Sequence, residues 1–279
     1  MGGSGRTGPV FLTSGQRTST SVLLAEAAAG RGMEVRSLDS ASALTGLSGS
    51  GDRPVHWYGG PLAYDHRIAG ALGLGLLEPS DGWLAALPEE FKGRHVELTT
   101  LAEAWQFRRP VFAKPPSAKS FPAAVYADGS RLPRTGEDVG PDTPVLVSDI
   151  VTFALEYRLF VLDGRVVTGS RYAVYGRLDP APLDGDEREP EVLRFADRLL
   201  TTEGHSLPSA VTVDVGLVQD PDRDGREQWA VVEANMPWFS HSYAARAAGV
   251  LDVVLRAAGP RGRVGRGDEG FLRATPRVQ

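Results

Sequence analysis

Residues 231–240, Val-Val-Glu-Ala-Asn-Met-Pro-Trp-Phe-Ser, form the stretch from which the fold of this chain can be argued. The apolar run before Glu233 follows an earlier apolar run that contains Asp214. If Gln219 faces Gln228 at the turn, the two runs pair as an antiparallel hairpin. Asp214 then lies opposite Glu233, with the two Cβ atoms about 4.5–5.5 Å apart. Two carboxylates so close repel, so a positive charge is expected beside them.

A third oxygen donor follows on the same strand. Asn235 lies two residues after Glu233, and side chains two apart on a strand share one face. Two carboxylates and an amide oxygen form a hard-ligand set that suits Mg²⁺. The alternative is an acidic pair at a sheet edge that a nearby arginine neutralises.

A second predicted hairpin turns at Asp163-Gly164, a strong two-residue turn signal. A symmetric pairing places Glu156 opposite Arg171, with Arg158 beside them on the same face. Two guanidinium groups on one face could bind phosphate oxygens in a bidentate manner. The alternative is a cross-strand ion pair on a solvated face, worth less than about 1 kcal/mol.

The lysines are few and two of them are close together. Only three of the 30 basic residues are lysine, and Lys114 and Lys119 lie five positions apart. Lys114 ends the predicted strand Val111–Lys114, and Lys119 follows in a turn-rich loop. This placement could deliver both ammonium groups to a phosphate.

Composition excludes several classes of function. The net charge of −5 provides no global basic field for nucleic acid or an anionic membrane. The absence of cysteine excludes a disulfide scaffold and a cysteine nucleophile. The longest apolar stretch, Ala69–Leu77, is about half of a membrane span. We therefore expect a cytoplasmic protein that binds neither nucleic acid nor membrane.

The first 88 residues alternate strand and helix patterns. Val10–Leu12 and Met33–Ser37 are predicted strands, separated by a helix over Ser19–Ala29. Such alternation favours a parallel sheet. From Val111 onward strand patterns dominate, and the Arg- and Gly-rich tail after Gly259 is expected to be disordered.

Together these segments resemble the ATP-grasp family. Val111–Pro115 is similar to the family's strand that ends in Lys-Pro, and Asp214 with residues 231–240 resembles its metal segment. Residues 156–161, before the Asp163-Gly164 turn, resemble its Glu-x-Arg hairpin. Arg94, followed by Lys114 and Lys119, resembles a subgroup in which an arginine replaces the first nucleotide-binding lysine.

The resemblance implies an α/β protein with α+β lobes, an ATP-grasp fold and a Rossmann-like N-terminal lobe. The expected units are an N-terminal lobe (1–88), a lid or nucleotide lobe (89–148), a C-terminal metal and catalytic lobe (149–259) and a disordered tail (260–279).

The resemblance also implies the ligands and the residues that hold them. ATP and Mg²⁺ are the expected cofactors. The metal would be held by Asp214, Glu233 and Asn235. The phosphates would be contacted by Arg94, Lys114 and Lys119. An acyl phosphate would be stabilised by Arg158 and Arg171, with Lys119 as a third catalytic residue. The adenosine would be met by the hinge residues Val147 and Ser148, with a ribose contact from Asp149 or Glu156.

The implied chemistry is carboxylate activation by ATP, followed by attack of an amine. The expected substrates are small-molecule or peptide carboxylates and amines, and a homodimer remains open. Two other functions also remain open: a non-catalytic ATP-binding accessory protein and an ATP-dependent small-molecule phosphotransferase. Their products differ, because a ligase releases ADP and phosphate with a new amide.

Overall fold

The computed structural model describes residues 8–38, 47, 53–60, 65–117, 120–134, 136, 139–219 and 227–273, with only the backbone of residues 65–68. Lys119, which the sequence assigns to the phosphates, lies outside the described residues. Among the described helices, no segment is long and apolar enough to cross a membrane.

The N-terminal lobe contains a three-stranded parallel sheet in the order β2-β1-β3, as the alternating pattern predicts. Its strands are β1 (Val10–Ser14), β2 (Glu34–Leu38) and β3 (Val55–Tyr58). Helix α1 (Ser19–Gly30) connects the first two strands. Thr18 caps this helix by accepting a hydrogen bond from the backbone N–H of Ser21, and the Ser21 hydroxyl returns one to the cap.

Short elements link this lobe to the rest of the chain. They are α2 (Asp65–Leu72), β4 (Leu74–Leu76), α3 (Trp83–Ala86) and α4 (Glu89–Lys92). Gly93 ends α4 in the left-handed conformation, at φ 62°. A glycine is favoured there because other residues clash with their own backbone at positive φ.

A four-stranded antiparallel sheet follows, in the order β5-β8-β6-β7. Its elements are β5 (Val96–Thr100), α5 (Leu101–Ala104), β6 (Val111–Lys114), β7 (Ala124–Tyr126) and β8 (Pro144–Ser148). One face packs on a small core of its own that includes Leu101, Val111 and Val145. The other face is left for the cleft described below.

The third lobe is a five-stranded antiparallel sheet in the order β11-β10-β9-β12-β13. Its strands are β9 (Thr152–Leu162), β10 (Arg165–Val174), β11 (Arg177–Pro182), β12 (Ala210–Gln219) and β13 (Glu227–Asn235). Helices α6 (Glu189–Glu203) and α7 (Ala247–Ala257) complete the lobe. The mixed α/β class and its lobes agree with the fold expected from the sequence.

The hairpin β12–β13 confirms the pairing of Asp214 with Glu233 but not the predicted turn. Gln219 pairs with Glu227, one residue away from the expected partner. A β-bulge between Asp214 and Val215 on β12 inserts Val232 as an extra residue on β13. The bulge cancels the one-residue error, and the two carboxylates therefore meet.

The hairpin β9–β10 corrects the prediction for Arg171. Two register shifts place Arg171 opposite Tyr157 and not opposite Glu156. Because alternate residues of a strand point to opposite faces, Arg171 lies on the face away from Arg158. There it contacts Asp186 at 3.2 Å and Asp179 at 2.9 Å. The predicted cluster of Glu156, Arg158 and Arg171 is wrong.

The tail is ordered through Arg273, so the expectation of disorder from residue 260 is wrong for residues 260–273. Strand β14 (Ala258–Pro260) pairs antiparallel with β4. The buried carboxylate of Asp268 accepts hydrogen bonds from the backbone N–H and the hydroxyl of Ser209, at 2.7 and 2.6 Å. These contacts compensate for the low hydrophobicity of the segment.

Candidate active site

A cleft of about 360 Å³ is lined by residues from both antiparallel sheets. One wall is apolar and includes Phe112, Val125, Leu146 and Phe153. The polar residues that line it are Arg94, Lys114, Ser148, Asp149, Glu156, Tyr172 and Glu233. A cavity with one apolar wall and several converging polar groups is the usual form of a small-molecule site.

Arg158 and Asp214 form a bidentate ion pair across neighbouring strands β9 and β12. Nε of Arg158 lies 2.8 Å from Oδ1 of Asp214, and Nη2 lies 2.7 Å from Oδ2. Both residues are buried, at 8% and 1% exposure. Two parallel hydrogen bonds between fork and carboxylate fix the orientation of both side chains.

The opposing carboxylate, Glu233, is held by Lys114 and Asn235. The ammonium of Lys114 donates to Oε2, and the amide of Asn235 donates to Oε1. Nη2 of Arg158 is 3.9 Å from Oε1. Burial raises the pKa of Glu233, but the Lys114 ammonium and the Arg158 guanidinium outweigh it and bring that pKa down to about 2. Glu233 is therefore ionised at neutral pH.

The two carboxylates and the two cations cancel in charge. Lys114 and Arg158 thus provide the positive charge that the opposed Asp214 and Glu233 require, as in the alternative of a neutralised acidic pair. Among the described residues, no three or more His, Cys, Asp or Glu side chains group as metal ligands. The magnesium assignment stays a prediction.

The donor set still suits a magnesium ion that arrives with a nucleotide. Glu233 lines the cleft and Asn235 contacts it. Both offer oxygen atoms, the donors that Mg²⁺ prefers. Asp214 is less available because both of its oxygens accept from Arg158. Its oxygens support the site through Arg158 in this arrangement.

Two tyrosines surround the arginine, and no sequence motif points to either of them. The rings of Tyr172 and Tyr243 stack at 5.1 Å between centroids. The Arg158 guanidinium carbon lies 5.6 and 5.2 Å from the same two rings. Tyr172 also donates to Oε2 of Glu156 at 2.7 Å. Tyr172 reaches the cleft through the register shift in β10, which a count along the strand does not reveal.

Burial raises the pKa of Glu156, and the hydrogen bond from Tyr172 only partly offsets this. The nearby carboxylates of Asp214 and Glu233 raise it further. Glu156 lines the cleft as predicted. A carboxyl group with a raised pKa in a cleft is a reasonable partner for a ligand hydroxyl.

The hinge residues divide between the cleft and a core. Ser148 and Asp149 line the cleft. Asp149 accepts from the backbone N–H of His95 at 3.2 Å and lies 3.6 Å from Arg109. The side chain of Val147 packs in the separate core of the four-stranded sheet. Any contact from Val147 to a nucleotide would therefore have to use its backbone.

Arg94 lies at the base of the cleft with most of its donors already used. Nη1 donates to the carbonyls of Lys92 and Val231, at 3.0 and 2.9 Å, and Nη2 donates to the carbonyl of Val232 at 3.3 Å. The guanidinium carbon is 5.3 Å from the centroid of Phe153. Burial lowers the pKa of Arg94 to about 10, against the pull of Asp149 and Glu233, so it is still a cation at neutral pH.

Comparison with solved structures supports the same fold. A RimK domain protein ATP-grasp from Sphaerobacter thermophilus is similar at a TM-score of 0.52 and 18% identity, over 88% of this chain and 99% of that one. Macrocyclase MdnC bound with precursor peptide MdnA, from Microcystis aeruginosa, gives 0.46 and 13%, over 89% and 99%. D-alanine--D-alanine ligase from Bacillus anthracis gives 0.47 and 12%, over 89% and 96%.

A sequence search of curated proteins finds no match. A family model matches residues 91–253, and it describes an ATP-grasp domain, family 2 of the clade named for one arginine and two lysines. This match spans more than half of the 279 residues and includes both antiparallel sheets of the cleft. The chain therefore belongs to the ATP-grasp family, in its Arg-plus-two-Lys clade.

Proposed function

We propose that this protein is an ATP-dependent carboxylate–amine ligase that forms an amide or peptide bond through an acyl phosphate. The observation that carries the proposal is the cluster of Glu233, Lys114 and Asn235 at the polar end of a cleft whose other wall is apolar. A nucleotide has the same division, with a flat apolar base and a charged phosphate chain. Membership of the ATP-grasp family supports this ligand.

The nucleotide would lie along the cleft. Phe112 and Leu146 would flank the adenine, and the backbone near Ser148 would meet its edge. Asp149 or Glu156 would accept a hydrogen bond from the ribose. Lys114 would meet the phosphates, because its ammonium already lies beside Glu233 in the cleft. Lys119 belongs to the same proposal from its position in the sequence alone.

The metal would be held by the oxygens of Glu233 and Asn235, with Asp214 as the third member of the set. When bound, Mg²⁺ neutralises charge on the phosphates during transfer. The charges of Asp214, Glu233, Lys114 and Arg158 already cancel. We therefore expect the ion to bind together with the negatively charged triphosphate and weakly without it.

The reaction balances in two steps. A carboxylate oxygen attacks the γ-phosphorus, the bond from that phosphorus to the bridging oxygen of ADP breaks, and an acyl phosphate forms. An amine nitrogen then attacks the acyl carbon, phosphate leaves with the bonding electrons, and the amine loses a proton. Lys114 and Arg158 would hold positive charge beside the transferring group, since both face the cluster around Glu233. The substrates would be small-molecule or peptide carboxylates and amines.

Trapping with hydroxylamine tests this proposal. The full chain is incubated with Mg²⁺, ATP, hydroxylamine and a mixture of amino acids and small peptides. A ligase is expected to release ADP and to give hydroxamates in equal amount, because hydroxylamine replaces the amine in the second step. The Glu233→Gln variant should give neither product, and Glu227→Gln, on the same strand but exposed, should behave like the wild type.

Other outcomes would favour another function. Nucleotide binding without ADP release would favour the accessory protein. ADP release with a stable phosphorylated product, and without hydroxamate, would favour the phosphotransferase.

A further inference from the structure

Arg94 contacts the one place where strand β13 departs from regular pairing with β12. Its guanidinium donates to the carbonyls of Val231 and Val232, which are consecutive residues. Val232 is the extra residue of the β-bulge opposite Asp214 and Val215. In a regular strand, consecutive carbonyls point toward opposite edges. One guanidinium that reaches both of them therefore recognises the bulge itself.

The bulge determines which face of the sheet carries Glu233. Before it, Val215 pairs with Val231, and both side chains are fully buried in the core. Continuing that register without a bulge would place Glu233 opposite Val213, which is also in this core. The extra residue moves Glu233 to the face of Asp214 and the cleft. Bulges near active sites often redirect a side chain in this way.

The local backbone brings Arg94 to this edge. Strand β13 lies at the edge of the five-stranded sheet, so its outer carbonyls are open to a partner. Gly93, at positive φ, lies so close that a Cβ built on it would be 2.9 Å from the Cβ of Ala230. The carbonyl of Lys92 takes the second hydrogen of Nη1. A planar fork of donors fits these three carbonyls, whereas an ammonium is a single point of charge.

We infer that Arg94 is a positioning residue that holds the β13 bulge and thereby aims Glu233 into the cleft. The inference rests on the proposed function, because it assigns Glu233 to the magnesium–nucleotide complex. It differs from the expectation that Arg94 mainly contacts phosphates. That expectation requires free donors, and three of the five N–H bonds already go to backbone carbonyls.

Calorimetric titration with ADP separates the two roles. The wild type, Arg94→Met, Arg94→Lys, Glu233→Gln and the double variant Arg94→Met/Glu233→Gln are each titrated in Mg²⁺ and in EDTA. Arg256→Met serves as the control for a lost positive charge, since Arg256 is exposed and pairs with Asp163. If Arg94→Met does not melt cooperatively, Arg94→Lys tests the same point while keeping the charge.

We expect Mg²⁺ to tighten ADP binding to the wild type and to Arg256→Met by at least about tenfold, which is about 1.4 kcal/mol. Both Arg94 variants should lose this gain and keep their affinity in EDTA within about twofold. The double variant should bind no more weakly than Glu233→Gln, because residues that act through one another do not add.

Three results would overturn the inference: restored Mg²⁺ dependence in Arg94→Lys, an equal loss of affinity in EDTA, or additive losses in the double variant. Each would indicate a direct charge contact with phosphate. A wild type that binds no ADP in either buffer would instead overturn the proposed function. A wild type with the magnesium gain, matched by both Arg94 variants, would overturn the inference alone.

Discussion

Arg158 and Asp214 form a buried ion pair with two hydrogen bonds, of 2.8 and 2.7 Å, directly beside the carboxylate of Glu233. The pair fixes the guanidinium between the stacked Tyr172 and Tyr243 on one side and Glu233 on the other. A buried charge that loses its partner is costly, so this geometry is maintained by electrostatics as much as by packing.

Replacing Asp214 with asparagine should therefore destabilise the fold. The change leaves the Arg158 guanidinium buried without its counter-charge, and we expect a loss of about 3–5 kcal/mol in the free energy of unfolding. Asp252→Asn is the matched control, because Asp252 pairs with Arg31 at the surface. That exposed pair should contribute less than about 1 kcal/mol. Urea denaturation measures both, and equal losses would contradict the importance of the buried pair.

The low pKa of Glu233 predicts a particular dependence of stability on pH. The pKa is lowered from 4.5 to about 2 on folding, so the charged form stabilises the native state. This contribution is fully present above about pH 4.5 and is lost as the pH falls through about 2. The difference in unfolding free energy between the wild type and Glu233→Gln should shrink over that window. A difference that stays constant from about pH 5 to about pH 2 would contradict the assigned ion pairs.

The ordered tail makes a separate prediction. Asp268→Ala removes the acceptor for the N–H and the hydroxyl of Ser209. We expect a loss of about 1–3 kcal/mol in unfolding free energy, typical of a removed hydrogen-bond partner. The neighbouring Glu269 is exposed, and Glu269→Ala removes the same charge. Chemical denaturation of both variants should separate them; matching midpoints would show that the tail contributes little.

The sequence predicts the central carboxylate pair but not its route. A symmetric turn predicts that Asp214 and Glu233 face each other. They do so through a bulge that corrects a turn offset by one residue. Side-chain identity and the period of two carry information on which residues share a face. A bulge depends on contacts from elsewhere in the chain, here those of Arg94, which no local pattern contains.

The errors have the same physical origin. Counting back from the turn assigns Arg171 to the site, and two irregularities in β10 move it to the opposite face. Composition alone predicts a disordered tail, although strand pairing with β4 and the burial of Asp268 order it. By contrast, strand β6 matches its predicted bounds, because a short apolar run ending in Lys114 requires no long-range information.

The most direct test of the nucleotide site is a thermal melt with ATP, in Mg²⁺ and in EDTA, on the wild type, Glu233→Gln and the strand-matched control Glu227→Gln. ATP at about 100 times its Kd stabilises a protein by about 2.7 kcal/mol. For a chain of this size that is a shift of roughly 5–10 °C. We predict this Mg²⁺-dependent shift in the wild type and the control, and its loss in Glu233→Gln. No shift in the wild type, or the same shift in Glu233→Gln, would contradict the proposed site.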